Sequence, residues 1–240
     1  MSAYIGEFLG TFFLIVLGVG VVANVLLTHS KGENAGWLSI TFGWAIAVIM
    51  GVFVAQSTGS VQADINPAVS FAKYWLGIYT LPVFLKTVLV QTAGAFCGAV
   101  MVWLVYFLHW KETTCPVKKL SVYATSPAIR HLPSNLFTEI ICTFILVLGV
   151  AAIFGEATAG QPVIGLGPYL VGMLVLGLGL SLGGPTGYAV NPARDFGPRL
   201  AHAVLPIPGK GASDWSYAWV PVVGPLIGGT LGAFMWKAFF

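Results

Sequence analysis

Asn66-Pro67-Ala68 and Asn191-Pro192-Ala193 are two copies of one tripeptide, 125 residues apart. Asn ahead of Pro is a helix start. The Asn amide oxygen accepts from the first free backbone N–H groups, and Pro fits the first helical position, where its missing donor costs nothing. The amide N–H groups of such an Asn remain able to donate to the oxygen of a passing molecule. Each copy follows a hydrophobic run long enough to cross a bilayer, where a polar side chain is costly. One copy is most simply a cap in a loop. Two copies, each opening a short amphipathic helix, point to a conduit built from two related halves.

Two acids also stand inside apolar runs, Glu7 and Glu139. An ionised carboxylate there is costly unless partnered. They occupy equivalent places, and no second titratable group lies close by in sequence. That favours buried acceptors for the backbone donors of re-entrant loops over a proton relay. No Ser/His/Asp set and no metal-ligand spacing occurs, so no catalysis, metal or cofactor is expected. His29, His109, His131 and His202 fall at span ends or loops and are expected to be solvated. Of the three cysteines, Cys97 and Cys142 lie in apolar runs and read as small core residues, and Cys115 lies in a polar loop.

The medium that positions these residues follows from composition. The chain of 240 residues is 57% hydrophobic and 8% charged, against roughly 25% charged residues in a soluble domain. A water-soluble fold would lack polar surface, so the solvent is lipid. The net charge of +3 is too small and dispersed for nucleic acid. No basic stretch precedes the first apolar run, and no cleavage site is evident, so no signal peptide is expected.

A spanning helix needs about 20 mostly apolar residues. Six runs meet this, at 4–28, 37–59, 82–109, 134–154, 162–182 and 217–240. Two shorter stretches, 67–76 and 192–205, each begin at the Pro after Asn and read as half-helices that dip into the membrane. Glu7, Thr11 and Phe12 recur as Glu139, Thr143 and Phe144, 132 residues later. Two landmarks at nearly one offset indicate an internal duplication. The expected organisation is one channel domain over 1–240, with a first repeat over 1–109, a loop over 110–133 and a second repeat over 134–240. Three crossings per half invert the second half, a known plan for a transport path. Gly6/Gly10, Gly94/Gly98, Gly224/Gly228 and Gly228/Gly232 have the spacing of close helix contacts.

The segment Asn191-Pro192-Ala193-Arg194-Asp195, with Asp64-Ile65-Asn66-Pro67-Ala68 before it, resembles the paired signature of the major intrinsic proteins, in the aquaglyceroporin and glycerol facilitator branch. The resemblance covers essentially the whole chain. It implies an all-α membrane fold of six transmembrane helices and two re-entrant half-helices in an inverted repeat, with one pore per subunit of a homotetramer. It implies that Asn66 and Asn191 aim their amides at the pore. It implies a selectivity constriction of Trp44, Gly179, Tyr188 and Arg194, with Asp195 flanking it. Gly179 stands where water-selective relatives usually carry His, and its small size is expected to widen the constriction. Two features depart from the pattern. Asp64 stands where His is usual, and 56–62 is about two residues long. Asp64 is expected either to charge the vestibule or to tie down its loop by accepting backbone hydrogen bonds.

The implied function is passive flow of glycerol, water and similar small neutral solutes through a lipid bilayer, with protons and ions excluded. Trp44 and Tyr188 would face a polyol's carbons and Arg194 its hydroxyls. The half-helix N-termini would oppose cations. Alternatives are a channel for protonated lactic acid or urea, a mainly water-selective aquaporin, and a coupled secondary transporter. The family orientation puts both termini in the cytoplasm, and short termini suggest a bacterial inner membrane. Lys31, Lys111, Lys118, Lys119, Arg130 and Lys210 then lie outside, against the positive-inside rule.

Overall fold

The computed structural model describes residues 2–155 and 165–239, and every described element is helical. The long helices are α1 (Ala3–Leu26), α2 (Gly36–Ser57), α4 (Leu81–Val105), α7 (Leu132–Phe154) and α10 (Val220–Phe239). All five are long and apolar enough to cross a membrane. The run expected at 162–182 gives α8 (Leu166–Ser181), 16 residues long, and residues 162–164 lie outside the described part. The half-helices are α3 (Pro67–Trp75) and α9 (Pro192–Val204).

The expected loop over 110–133 is not simply a loop. It holds the end of α5 (His109–Glu112) and all of α6 (Pro116–Tyr123), and α6 packs on α1 and α9. Trp110 and Tyr123 are fully buried there and stack with ring centroids 5.3 Å apart. Lys119 is buried there beside Leu120, Val122 and Tyr123, a burial that its charge does not predict. Cys115, just before α6, is exposed. Cys97 is also exposed, on the outer side of α4, and is not a core residue; Cys142 is buried. An apolar run in lipid does not say which of its faces meets protein.

The packing repeats. α1 lies against α2 and α4, and α7 lies against α8 and α10. α2 meets α8 across the centre, and each half-helix packs on the last long helix of the other set, α3 on α10 and α9 on α4. Glycines allow these approaches. A Cβ on Gly94 would lie 2.3 Å from the Phe8 carbonyl oxygen of α1, and one on Gly228 would lie 2.2 Å from the Ile140 carbonyl oxygen of α7. Neither oxygen can retreat, because each belongs to a helix backbone.

Gly228→Ala is therefore expected to destabilise the fold by about 1–3 kcal/mol through overpacking. Gly20→Ala is the control, because nothing lies within 4 Å of its added methyl. Thermal unfolding in detergent should show a lower midpoint for the first variant and none for the second.

Candidate functional site

The two Asn-Pro-Ala copies meet. Asn66 Oδ1 accepts from Ala68 N at 2.9 Å, and Asn191 Oδ1 accepts from Ala193 N at 3.0 Å and Arg194 N at 3.1 Å. Each Asn thus caps its own half-helix, with Pro67 or Pro192 at the first position. The amide nitrogens reach across. Asn66 Nδ2 donates to the Val190 carbonyl at 2.9 Å, and Asn191 Nδ2 donates to the Ile65 carbonyl at 2.8 Å. This exchange uses one hydrogen of each amide and leaves the second for another acceptor. Ala68 and Ala193 are buried. Gly229 of α10 must lack a side chain here, because a Cβ on it would lie 2.8 Å from the Ala68 carbonyl oxygen.

The segments entering each half-helix share an unusual backbone. Ala63 and Ile65 have φ of 43° and 45°, and Tyr188 and Val190 have φ of 39° and 45°. These left-handed conformations fall one and three residues before each Asn, and each costs roughly 1–3 kcal/mol for a residue with a Cβ. The buried acids hold them. Glu7 accepts from Asp64 N at 2.9 Å and Ile65 N at 2.8 Å, and also from Ser60 Oγ and Gln91 Nε2. Glu139 accepts from Ala189 N and Val190 N, both at 3.0 Å, and from Thr186 Oγ1 at 2.7 Å. Ser60, Thr186 and Gln91 were missed in the sequence. Ser60 and Thr186 had a signal, standing six and five residues before their Asn.

Arg194, Trp44, Tyr188 and Gly179 come together at the start of α9. The Arg194 guanidinium carbon lies 4.0 Å from the Trp44 ring centroid. Its Nη1 donates to the Tyr123 carbonyl at 3.4 Å. Gly179 does not leave open volume. A Cβ there would lie 2.7 Å from Tyr188 Cζ, and one on Gly183 would lie 2.5 Å from Tyr188 Cδ1. The two glycines of α8 and its end are the seat of the Tyr188 ring. Likewise a Cβ on Gly18 would lie 2.3 Å from Trp44 Cζ3, so Gly18 seats the indole. Trp37 holds the same region from the other side, donating Nε1–H to the Gly179 carbonyl at 3.0 Å and meeting Tyr188 edge-on.

Asp195 is fully buried behind Arg194 and pairs with Arg199 at 2.7 Å. It also accepts from Thr125 N and Oγ1. Arg199 goes on to donate to the Thr125, Ser213 and Asp214 carbonyls. This pair nails the segments after α6 and after α9 to the half-helix. Arg199 was missed, although its four-residue spacing from Asp195 is a helix ion-pair signal. His202 is not solvated. It is fully buried on α9 with Nδ1 2.8 Å from Ser213 Oγ. A half-helix that enters the bundle buries even its last turn. Lys210 follows α9 and donates to the His202, Ala203 and Leu205 carbonyls, closing that helix end. Burial lowers its ammonium pKa from the ordinary lysine value. At Asp214 burial acts upward, but hydrogen bonds from Arg130 and Ser216 prevail and hold its carboxyl below the usual range.

Asp64 does not face a vestibule. Its side chain is 0% exposed, pairs with Lys73 and accepts from Ser70 Oγ at 2.7 Å. It therefore ties its loop to α3, with side-chain partners where backbone donors were expected.

Glu139→Gln replaces one acceptor oxygen with a donor, so a donor from Thr186, Ala189 or Val190 loses its partner. A loss of about 1–3 kcal/mol is expected. It should appear as a lower unfolding temperature and less folded protein.

A family model described as "Major intrinsic protein" matches residues 1–236. The chain is 54% identical over 240 residues to the "Probable glycerol uptake facilitator protein" of Thermotoga maritima, covering 100% of both chains. It is 46% identical to the "Glycerol uptake facilitator protein" of Bacillus subtilis, covering 100% of this chain and 85% of that one. Among solved structures, the aquaglyceroporin from Plasmodium falciparum aligns with a TM-score of 0.87 and 31% identity, over 98% of this chain and 95% of that one. Matched by that family model over nearly its whole length and by close full-length relatives, this chain belongs to the major intrinsic protein family.

Proposed function

We propose that this chain is a passive channel for glycerol and similar small neutral solutes, which also conducts water and excludes protons and ions. The observation that carries this reading is the Arg194 guanidinium 4.0 Å from the Trp44 ring, beside Tyr188 and next to the paired Asn residues. Trp44 and Tyr188 offer an apolar wall for a polyol's carbons. Arg194 has five N–H donors to offer hydroxyls, of which one contacts the Tyr123 carbonyl. The names of the relatives above support glycerol as the solute.

Charge selection follows from the same place. The N-termini of α3 and α9 abut, and each carries about half a positive charge. With Arg194 they raise the energy of any cation at the centre. The spare amide hydrogens of Asn66 and Asn191 make a water there an acceptor, so it cannot pass a proton along a chain of waters. Glu7 and Glu139 are occupied by backbone donors, which leaves them unsuited to bind a coupling ion.

The reading extends to one channel domain made of two inverted repeats, 1–109 and 134–240, joined through 110–133. It places a homotetramer in a bacterial plasma membrane with both termini cytoplasmic. Three of the charges that this orientation puts outside have a structural use. Lys119 donates to the Pro208 carbonyl, Lys210 closes α9, and Arg130 pairs with Asp214.

Proteoliposomes swelling in glycerol, urea and lactic acid at two pH values are the test. Glycerol should enter far faster than in empty liposomes, whatever the proton or sodium gradient; equal rates would end this reading. Arg194→Val should admit ions and reorder the solutes. Gly179→Ala should push the Tyr188 ring toward the conduit. Glycerol flux should then fall about tenfold more than water flux, the worth of one extra methyl in a tight site.

A further inference from the structure

The two halves are anchored differently, and the difference lies at Asp64. In the second half the residue two before Asn191 is Ala189, which has no polar side chain to anchor. In the first half that place holds an acid whose side chain is wholly buried against Lys73, itself 17% exposed. Lys73 also donates to the Gln62 side chain at 2.7 Å and to the Gln62 carbonyl at 3.3 Å. One ammonium thus clamps 62–64 to the last turn of α3.

The clamp sits next to the conduit-forming backbone. Asp64 precedes Ile65, whose carbonyl accepts from Asn191 Nδ2 and whose φ is 45°. A strained residue keeps such a conformation only where its surroundings over-determine it. Here Glu7 holds the amides of Asp64 and Ile65, and Lys73 holds the side chain between them. The charged and titratable groups facing Asp64 are Glu7 from α1, Lys73 from α3 and the Tyr79 phenol from the turn after α3. The uncharged Ser70 of α3 completes the set, and Gln91 of α4 in turn donates to Ser70 and Glu7. Lys73 is the one cation among them, and it pairs with Asp64.

We propose that Lys73 is a positioning residue for conduction, holding Asp64 against α3 so that the Ile65 carbonyl stays paired with Asn191 and the half of the conduit lined by 63–66 stays open. Without Lys73 the Asp64 carboxylate is left beside Glu7 with no counter-ion. A buried charge stripped of its partner is strongly unfavourable. The carboxylate must swing toward water, dragging 63–65 with it, or take up a proton and stay. Loss of the lysine therefore makes flux depend on pH. Wild type is expected to conduct alike at both pH values.

This rests on the channel reading, and the experiment separates the two. Glycerol flux per folded protein is measured in proteoliposomes at pH 7.5 and pH 5 for wild type, Lys73→Met, Asp64→Asn and the double variant. Lys73→Met should conduct about tenfold less than wild type at the higher pH, the population shift expected from an unpaired buried charge, and recover at the lower. Asp64→Asn with Lys73→Met should be near wild type and insensitive to pH, because an amide needs no counter-ion. A purely structural role would change yield and leave flux per folded protein alone. Wild-type flux from Lys73→Met at both pH values, or a double variant as slow as the single one, overturns the proposal. If Lys73→Met does not insert, Lys73→Gln replaces it; wild-type flux from it at both pH values likewise overturns the proposal. Absent wild-type flux would instead sink the channel reading.

Discussion

The rest of the structure depends on one reciprocal exchange. Asn66 donates to the carbonyl before Asn191, and Asn191 donates to the carbonyl before Asn66. Each amide oxygen is meanwhile used to start its own helix. Two helix N-termini repel, since each carries a partial positive charge. The cross-bonds hold them together despite that repulsion and set their spacing. A bare helix end in lipid would leave donors unpaired, which the bilayer does not forgive. Each end solves this problem with its own Asn oxygen, and the exchange then pairs the carbonyls of Ile65 and Val190.

That exchange forces the backbone ahead of each Asn into left-handed conformations at Ala63, Ile65, Tyr188 and Val190. The strain is held by a carboxylate in each half, which is why acids stand in apolar helices. Glu7 and Glu139 each accept two consecutive backbone donors and one hydroxyl. Ion pairs then fix the surroundings, and the halves diverge. The first uses Asp64 with Lys73, on the incoming segment. The second uses Asp195 with Arg199, on the half-helix itself, and reaches outward to the segments at Thr125 and Ser213.

Aromatic placement follows from absent side chains elsewhere. Trp44 lies where Gly18 has no Cβ, and Tyr188 lies where Gly179 and Gly183 have none. The glycines thereby decide how far each ring withdraws, and so how much room remains beside Arg194. Gly179 therefore bears on the width of the constriction through the ring it seats. Its missing side chain is filled by its neighbour's ring, a fact of packing between α8 and the segment before α9.

The sequence by itself determined the membrane class, the half-helix starts, the two buried acids and the pairing of halves. These are local or periodic signals: apolar length, an Asn-Pro cap, and a motif repeated at one offset. Arg194 and Trp44 were legible through resemblance. Only the tertiary structure decided that Asp64 is buried against Lys73, that His202 is enclosed, that Cys97 faces outward and that 110–133 holds packed helices. Nothing within a few residues of these positions encodes burial. In lipid, hydrophobicity no longer separates inside from outside, so the side a residue faces is settled by which helix packs against it.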